Sequence, residues 1–329
     1  MGCRRQRSAR RFTVVLLLGL LVAACAGPIP QPGTGEVRVA YQPGPASLPV
    51  QFAARSGIFE RNGLHVVLTE GNDITVFTTA VAQRRYEIAM SVPSMLLVAA
   101  EKGLDVQVVS GLQRSSQSNP NLAWITKDPA VTSLEQLRGR TVAVPALVGQ
   151  VVDSFTYLLE RRGVDRRDVR FVQLGTAAMV DQLNAGHVDA AVYGMNAGRA
   201  LMERNGIVAH SDVVAQAVQE ASDGTVDDAI TLLFATEPGY AAEHPEVIRG
   251  FRRSLTEAMD HLRSHDADAR ALLQDWLKMT PEAAGATTLP TWRVEIAAPE
   301  LVPYATIARA TGSITEDPDL HALLWQDPP

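Results

Sequence analysis

The 329-residue sequence predicts an α/β protein built as two lobes with a cleft between them. Two observations lead to this prediction. From residue 36 onward, short β-rich runs alternate with helical patterns, which is typical of α/β folds. The same alternating unit occurs again between residues 140 and 204, so the chain contains two comparable halves.

The chain begins with a segment that has the features of a removable signal peptide. Several arginines precede an apolar run at 14–24, which is too short to span about 30 Å of hydrocarbon. The run ends in Val22-Ala23-Ala24-Cys25, which matches the bacterial lipobox. We therefore expect residues 1–24 to be removed and Cys25 to be acylated, rather than an ordinary secretion signal with a chance cysteine. Residues 25–35 are rich in Pro and Gly and are predicted to form a flexible tether.

Charge and cysteine content exclude several classes of function. The whole chain has 30 Lys and Arg against 36 Asp and Glu, and removal of residues 1–24 takes away five arginines and no acid, which leaves a net charge of −11. Nucleic acid is therefore not an expected partner. Because Cys3 leaves with the signal peptide and Cys25 is acylated, no thiol remains for a disulfide, a catalytic nucleophile or a cysteine metal site.

The first half is predicted to contain four strands with a helix in each interval, the strands running parallel. The strands are predicted at 37–41, 64–70, 86–90 and 106–111, and the helices at 48–61, 74–83 and 94–102.

The second half repeats this order of elements. Segment 82–91 aligns with 184–193, each with a helix end, an acid-bearing turn and a buried strand. Ser91 and Tyr193 are then equivalent positions at the carboxyl ends of two strands. The strands of this half are predicted at 140–144, 169–174 and 188–193, and the helices at 148–162, 177–184 and 197–204.

The remaining residues are predicted to return to the first half. They contain a strand at 230–235, a helix opened by Glu237-Pro238, an amphipathic helix at 244–265, and further helices. A chain that leaves near 122–127 and returns near 230–236 crosses twice, and these two segments are the predicted hinge. Lobe 1 is then expected at 36–121 and 231–329, and lobe 2 at 128–229.

Six loops at strand carboxyl ends are expected to converge on the cleft. Ligands of open α/β sheets bind at these ends, where helix N-termini offer unpaired N–H groups. Pro43, Pro45 and Pro93 stand where helices are expected to begin. The candidate ligand-binding residues are polar and mostly uncharged: Gln42, Ser47, Asn72, Asp73, Ser91, Pro93, Ser94, Gln113, Gly149, Gln150, Thr176, Tyr193 and Asn196.

The sequence lacks the usual catalytic and metal signatures. It contains no GxxxxGK[ST], GxSxG, HExxH or spaced CxxC. His261 and His265 share a helix face, and we interpret them as part of a solvated helix flank rather than as metal ligands. The sequence therefore predicts a protein that is not an enzyme, with no catalytic residue, no metal site and no cofactor.

In several segments the sequence resembles the periplasmic binding proteins of ABC importers for nitrate, alkanesulfonates, taurine and thiamine-type pyrimidines. The resemblance is carried by VRVAYQPGPASLPVQFAARSGIFERNGLHVVLTEG at 37–71, RYEIAMSVPSMLLVAAEKGLDVQVVSG at 85–111, LEQLRGRTVAV at 134–144, LNAGHVDAAVYG at 183–194 and HPEVIRGFRRSLTEAMDHL at 244–262. It implies a type II periplasmic-binding-protein fold, in which a ligand closes the cleft between the lobes.

The resemblance also implies a role and partners. The protein would be a monomer, anchored by the lipid on Cys25 to the extracytoplasmic face of a bacterial cell membrane, and would deliver a small molecule to ABC permease subunits. Sulfonate-binding members often hold their anion with an arginine, and none occupies the six loops here. The run Tyr193-Gly194-Met195-Asn196 is similar to pyrimidine-binding members, so we favour a neutral or aromatic heterocycle over a sulfonate, taurine or nitrate.

Two alternatives remain open. The chain could be a ligand-sensing or adhesion lipoprotein without a transporter. It could also resemble the pyrimidine synthases that share this fold, but those enzymes use a cysteine cluster and an active-site histidine, and here only the acylated Cys25 remains.

Overall fold

The computed structural model describes residues 35–328, apart from the side chains of Ala197 and Ala200. The predicted signal peptide, Cys25 and all of the tether except Gly35 lie outside the described residues. Among the described helices, none combines the length and the apolar character needed to cross a membrane.

Strands and helices alternate along the two halves close to the predicted positions. The strands are β1 (Glu36–Tyr41), β2 (His65–Glu70), β3 (Ile88–Ser91), β4 (Gln107–Ser115), β5 (Leu122–Thr126), β6 (Thr141–Val144), β7 (Arg170–Gln173), β8 (Ala190–Gly194), β9 (Val208–Asp212), β10 (Ala229–Thr236) and β11 (Thr291–Trp292). The helices are α1 (Leu48–Arg55), α2 (Ile58–Arg61), α3 (Thr75–Ala82), α4 (Pro93–Glu101), α5 (Gln150–Arg161), α6 (Thr176–Asn184), α7 (Met195–Asn205), α8 (Val213–Ala221), α9 (Pro238–Glu243), α10 (Pro245–Ser264), α11 (Asp266–Asp275), α12 (Pro281–Ala286) and α13 (Ala298–Ala310). Short 3₁₀ helices lie at Pro45–Ser47, Leu134–Leu137 and Arg166–Asp168.

One predicted helix is broken in two. The sequence predicts a single helix over 48–61, but α1 ends before Gly57, whose φ of +69° lies in the left-handed region. A residue with a side chain rarely adopts that conformation, so glycine allows the chain to turn here and start α2.

Two sheets confirm the internal repeat. The six-stranded sheet has the order β11-β4-β10-β3-β1-β2, and the five-stranded sheet has the order β7-β6-β8-β5-β9. Counted from β2 in one sheet and from β7 in the other, the strand orders are β2-β1-β3-β10-β4 and β7-β6-β8-β5-β9. The first, second, third and fifth strands of these two series are the equivalent strands of the two halves. β1 pairs with β3 in parallel, and β6 pairs with β8 in parallel, as the repeat predicts.

The fourth strand of each sheet departs from the predicted all-parallel pattern. β10 runs antiparallel to both β3 and β4, and β5 runs antiparallel to both β8 and β9. In each sheet the antiparallel strand comes from outside the repeated unit: β5 precedes the second unit, and β10 follows it. The sheets are mixed because the chain enters the second half through β5 and returns to the first half through β10.

The connections between the two sheets are short on one side and longer on the other. The chain leaves the six-stranded sheet after Ser115 and enters the five-stranded sheet at Leu122. It leaves that sheet after Asp212 and returns at Ala229, with α8 in between. The segments 122–127 and 230–236, which the sequence suggests as the hinge, lie largely within β5 and β10, and motion about the connections stays a prediction.

Candidate ligand-binding cleft

Four consecutive helices begin at strand carboxyl ends without a side chain that caps their N-terminus. They are α4 to α7, and the residues at their N-cap positions are Val92, Gly149, Gly175 and Gly194. Other helices of the protein do have such caps: Asp212 for α8, Glu237 for α9 and Thr280 for α12. The first N–H groups of α4 to α7 are therefore not neutralised by a side chain, and they favour polar or anionic groups.

The two halves meet where α4 and α5 begin. A Cβ added to Gly149 would lie 3.3 Å from Met95 Cε and 3.9 Å from Ser94 Oγ. Gly149 also has a φ of +90°, a conformation that residues with side chains rarely adopt. Glycine at this position therefore lets the loop after β6 approach the first turn of α4 closely.

Gln150, the first residue of α5, reaches across to the six-stranded sheet. Its Nε2 donates a hydrogen bond of 3.1 Å to the carbonyl oxygen of Ile230 in β10. Gln150 Oε1 and Ser94 Oγ are both buried, and neither has a hydrogen-bond partner among the described residues. The structure thus brings Ser94, Gly149 and Gln150 together at the contact between the halves, with two polar atoms still unpaired.

A second contact between the halves is built from amide side chains. Gln113 Nε2 donates to Asn196 Oδ1 at 3.3 Å, and Asn121 Nδ2 donates to Gln113 Oε1 at 3.2 Å. Asn196 Nδ2 in turn donates to the carbonyl oxygen of Thr288 at 3.0 Å. The backbone N–H of Thr288 donates to the carbonyl oxygen of Asn196 at 2.8 Å. Both candidate residues, Gln113 and Asn196, therefore bond to protein groups that join α7 to the six-stranded sheet.

The candidates in the first loops bond mainly to their own half. Ser47 Oγ donates to the carbonyl oxygen of Gln42 at 2.7 Å, and Gln42 Nε2 donates to that of Asn72 at 3.2 Å. Ser91 Oγ lies 2.7 Å from Thr78 Oγ1 and is completely buried. These bonds hold the loops after β1 and β2 together, and they leave Gln42 partly exposed.

The other polar candidates lie at helix starts. Asp73 Oδ1 accepts the N–H of Thr75 at 2.9 Å, at the beginning of α3. Pro93 is the first residue of α4 and is buried, whereas Thr176 is the first residue of α6 and is exposed. Asn72 and Asp73 are also exposed.

Tyr193 is the candidate with an aromatic surface. Its ring is half-buried near the carboxyl end of β8, and burial raises the pKa of its hydroxyl. A Cβ added to Gly198 would lie 2.6 Å from Tyr193 Cε1, so the glycine leaves room for the ring against α7. Two other aromatic residues, Phe77 and Trp124, are buried in the core, and Trp124 stacks on His210 at 3.7 Å between ring centroids.

Sequence analysis missed Asp153, which lies one helical turn after Gln150. Its side chain is buried, and its Oδ1 accepts a hydrogen bond of 2.8 Å from Ser313 Oγ, while Oδ2 has no partner among the described residues. Burial raises the pKa of this carboxyl, and the bond from Ser313 opposes that shift. The carboxylate is buried by residues about 150 positions further along the chain, so no local signal marks it.

A second missed group lies at the end of β2. Tyr41 OH and Trp276 Nε1 both donate to Glu70 Oε1, at 2.6 and 2.8 Å. These bonds lower the pKa of the Glu70 carboxyl, with the bond from Tyr41 the larger cause. The contact joins β1, β2 and the end of α11, and it keeps the Glu70 carboxylate paired.

The loop that carries Gly149 also exposes apolar side chains. Leu147 is 47% and Val148 is 68% exposed, although they lie only three and two residues before the buried Gln150. Exposed apolar groups beside unpaired polar atoms are typical of ligand sites. The loop thus combines an apolar surface with unpaired acceptors.

Comparison with known proteins finds several that are similar to this chain and are named as binding proteins. A riboflavin-binding protein, RibY, of Chloroflexus aurantiacus is 26% identical over 281 residues, covering 78% of this chain and 75% of that protein. The alkanesulfonate-binding protein SsuA from Xanthomonas axonopodis pv. citri has a TM-score of 0.70 at 14% identity, with 88% of this chain and 98% of that chain covered. The aliphatic sulphonate binding protein SsuA from Escherichia coli has a TM-score of 0.71 at 15% identity, with 89% and 93% covered.

The solved structures show the fold, which is that of periplasmic binding proteins, as the sequence predicts. The family model described as NMT1/THI5 like matches residues 45–269, which is more than half of the chain. This range includes the whole five-stranded sheet and four strands of the six-stranded sheet. The chain therefore belongs to the NMT1/THI5-like family.

Proposed function

We propose that this protein is the extracytoplasmic solute-binding component of an ABC importer. It captures a small molecule between its two halves and delivers that molecule to the permease subunits. The observation that carries the proposal is the contact of Gly149 with Ser94 and Met95, which brings the uncapped N-termini of two helices from different halves together. A binding protein of this fold is not an enzyme, and the SsuA neighbours are named as binding proteins.

We propose a neutral or aromatic heterocycle as the ligand, with a flavin as the first compound to test. Three features support this choice over a sulfonate, taurine or nitrate. Tyr193 offers a half-buried ring, Leu147 and Val148 offer apolar surface, and the unpaired atom of Gln150 is an acceptor oxygen. The relative that shares 26% of its residues is named for riboflavin, whereas the sulfonate-binding neighbours share only 14–15%.

A ligand screen tests this proposal directly. The purified protein is heated with riboflavin, a thiamine-type pyrimidine, taurine, ethanesulfonate or nitrate, and unfolding is followed by fluorescence or calorimetry. A ligand present at a hundred times its dissociation constant adds about 2.7 kcal/mol to the free energy of unfolding, which raises the melting temperature measurably. Stabilisation by riboflavin or the pyrimidine alone is the expected result. Stabilisation by taurine or ethanesulfonate alone contradicts the choice of ligand, and no stabilisation by any compound contradicts solute capture from this panel.

Anchoring by a lipid on Cys25 completes the proposed role. The lipobox at 22–25 supports it, since a diacylated cysteine would keep the protein beside the permease after export. The alternative of a sensor or adhesion lipoprotein predicts the same anchor but no transport. Deletion of the permease subunits separates the two, because uptake of the ligand stops only if this protein serves an importer.

A further inference from the structure

A small cavity lies at the contact between the two halves. It is enclosed by the first turn of α4, the first two turns of α5 and the middle of α13, and it has room for about one water-sized group. Its polar lining comes from Ser94, Gln150, Asp153, Ser154 and Tyr304. We refer to it as the α5 cavity.

The hydrogen bonds around the α5 cavity determine which of its atoms accept and which donate. The carbonyl oxygen of Ile230 can only accept, so the amide nitrogen of Gln150 faces it, and the amide oxygen is left without a partner among the described residues. The hydroxyl of Tyr304 donates to the same carbonyl at 2.9 Å, and burial raises its pKa, so it stays protonated. Its proton is therefore not available to the cavity.

Asp153 adds a second acceptor. Ser313 occupies Oδ1, and Oδ2 has no hydrogen-bond partner among the described residues. No lysine or arginine is among the residues that line the α5 cavity, and its side chains offer only the hydroxyls of Ser94 and Ser154 as further donors, beside the uncapped N–H groups at the starts of α4 and α5. Among the side chains, the cavity thus has an unpaired amide oxygen and an unpaired carboxylate oxygen as acceptors.

Buried acceptors without donors are unfavourable for the folded protein. Ser94, Gln150 and Asp153 nevertheless place unpaired oxygens in one enclosed space. Their location where α4 of one half meets α5 of the other means that a group bound there would contact both halves. Such a group would lower the free energy of the closed arrangement of the halves.

We propose that Ser94, Gln150 and Asp153 form an acceptor subsite that binds a hydrogen-bond-donating group of the ligand, an N–H or O–H group that is neutral or cationic. The inference rests on the proposed function, because the ligand is the one captured between the halves. The Asp153 carboxylate repels anions, so the subsite disfavours sulfonates and nitrate even though two helix N-termini lie beside it. Asp153 is thus a residue that determines specificity, which the sequence pattern did not indicate.

The test compares two probes on matched variants by titration calorimetry. Riboflavin carries an imide N–H and several hydroxyls, whereas ethanesulfonate is an anion without a donor. Asp153→Asn replaces the acceptor oxygen with a donor and removes the charge, and Gln150→Met removes the amide. Glu160→Gln removes the same charge from an exposed position of α5 and is the control.

We expect Asp153→Asn and Gln150→Met to weaken riboflavin binding by about tenfold or more, with Glu160→Gln within about twofold of the wild type. We also expect Asp153→Asn to bind ethanesulfonate better than the wild type does, because the repelling charge is gone. Melting curves of each variant check that it folds. If Asp153→Asn binds riboflavin as tightly as the wild type does, the subsite is overturned and the proposed function stays intact. The same conclusion follows if the wild-type protein binds ethanesulfonate more tightly than riboflavin. Wild-type protein that binds neither probe overturns the choice of a flavin as ligand together with the subsite.

Discussion

The hydroxyl of Ser115 donates a 2.6 Å hydrogen bond to the buried carboxylate of Asp212, so the last residue of β4 is joined to the last residue of β9. The same carboxylate oxygen accepts the N–H groups of Asn121 and Leu122 at 2.8 and 2.7 Å, and the other oxygen accepts that of Ala215 at 2.8 Å. Both connections between the sheets start at this pair. One carboxylate therefore fixes the geometry of the two crossings.

Replacing Asp212 with alanine should destabilise the protein strongly. The substitution leaves the Ser115 hydroxyl and the N–H groups of Leu122 and Ala215 without their acceptor, and we expect a loss of about 3 kcal/mol in the free energy of unfolding. Urea unfolding measures this loss. Asp227→Ala, an exposed position in the return connection, is the control and should change stability by less than about 0.5 kcal/mol. A loss below about 1 kcal/mol for Asp212→Ala would show that the crossings are held by other contacts.

Replacing Asp153 with asparagine should stabilise the protein at neutral pH. Burial raises the pKa of the Asp153 carboxyl above its usual 3.8, so the folded state binds the proton more tightly than the unfolded state does. The stability that this provides is fully present below the unfolded pKa and is lost as the pH rises through the folded pKa. The difference in unfolding free energy between Asp153→Asn and the wild type should therefore grow from pH 3 to pH 8. Urea titrations across this range measure it, and a difference that does not vary with pH contradicts the prediction.

Asn196→Ala should weaken ligand-induced closure. It removes side-chain hydrogen bonds to Gln113 in β4 and to the carbonyl of Thr288 in the segment between α12 and β11. We expect ligand affinity to fall by about 1–2 kcal/mol and the ligand-induced decrease in radius of gyration, measured by X-ray scattering, to become smaller. Asn205→Ala at the other end of α7 is the control. Equal contraction in Asn196→Ala and the wild type would count against a closing role.

Tyr193 tests whether the ligand is a ring. Tyr193→Ala should weaken riboflavin binding by about 1 kcal/mol or more through lost stacking, whereas Tyr193→Phe keeps the ring and should stay close to the wild type. Quenching of flavin fluorescence on binding measures both affinities. If the phenylalanine variant binds as poorly as the alanine variant, the hydroxyl rather than the ring contacts the ligand.

Cys25→Ala should release the protein from the membrane into the soluble fraction. The lipobox at 22–25 motivates this prediction. Labelling with a radioactive fatty acid and cell fractionation measure it together, with Cys3→Ala as the control that should remain anchored. A wild-type protein that takes up no label contradicts the lipoprotein assignment.

The repeated strands and helices were predictable because each unit is encoded locally. Hydrophobic alternation marks β1 and β6, and the amphipathic pattern marks α5, without reference to distant residues. The sequence predicts a hinge at 122–127 because the chain crosses between the halves there. The structure has strand β5 in this segment, and its partner β8 lies about 70 residues later, so no local pattern indicates the pairing. β9 and α8 were missed, and β9 lies at a sheet edge with mostly polar, partly exposed residues.

The candidate site was predictable in outline and less so in its bonding. The sequence placed Ser94, Gly149 and Gln150 at one cleft, and the structure brings them together. Gln113 and Asn196 also meet, but they bond to each other, which no single sequence position could reveal. Asp153 acquires its environment from α13 and Ser313, so its role depends on packing that lies far along the chain.

The exchange of antiparallel strands between the halves limits the order in which the protein can fold. β3 and β4 of the first half are joined only through β10, which is not synthesised until residue 236. A chain emerging N-terminus first therefore cannot complete its first sheet before the whole second half has followed, and pairings this distant in sequence form slowly. The first sheet thus stays incomplete until the return strand is available.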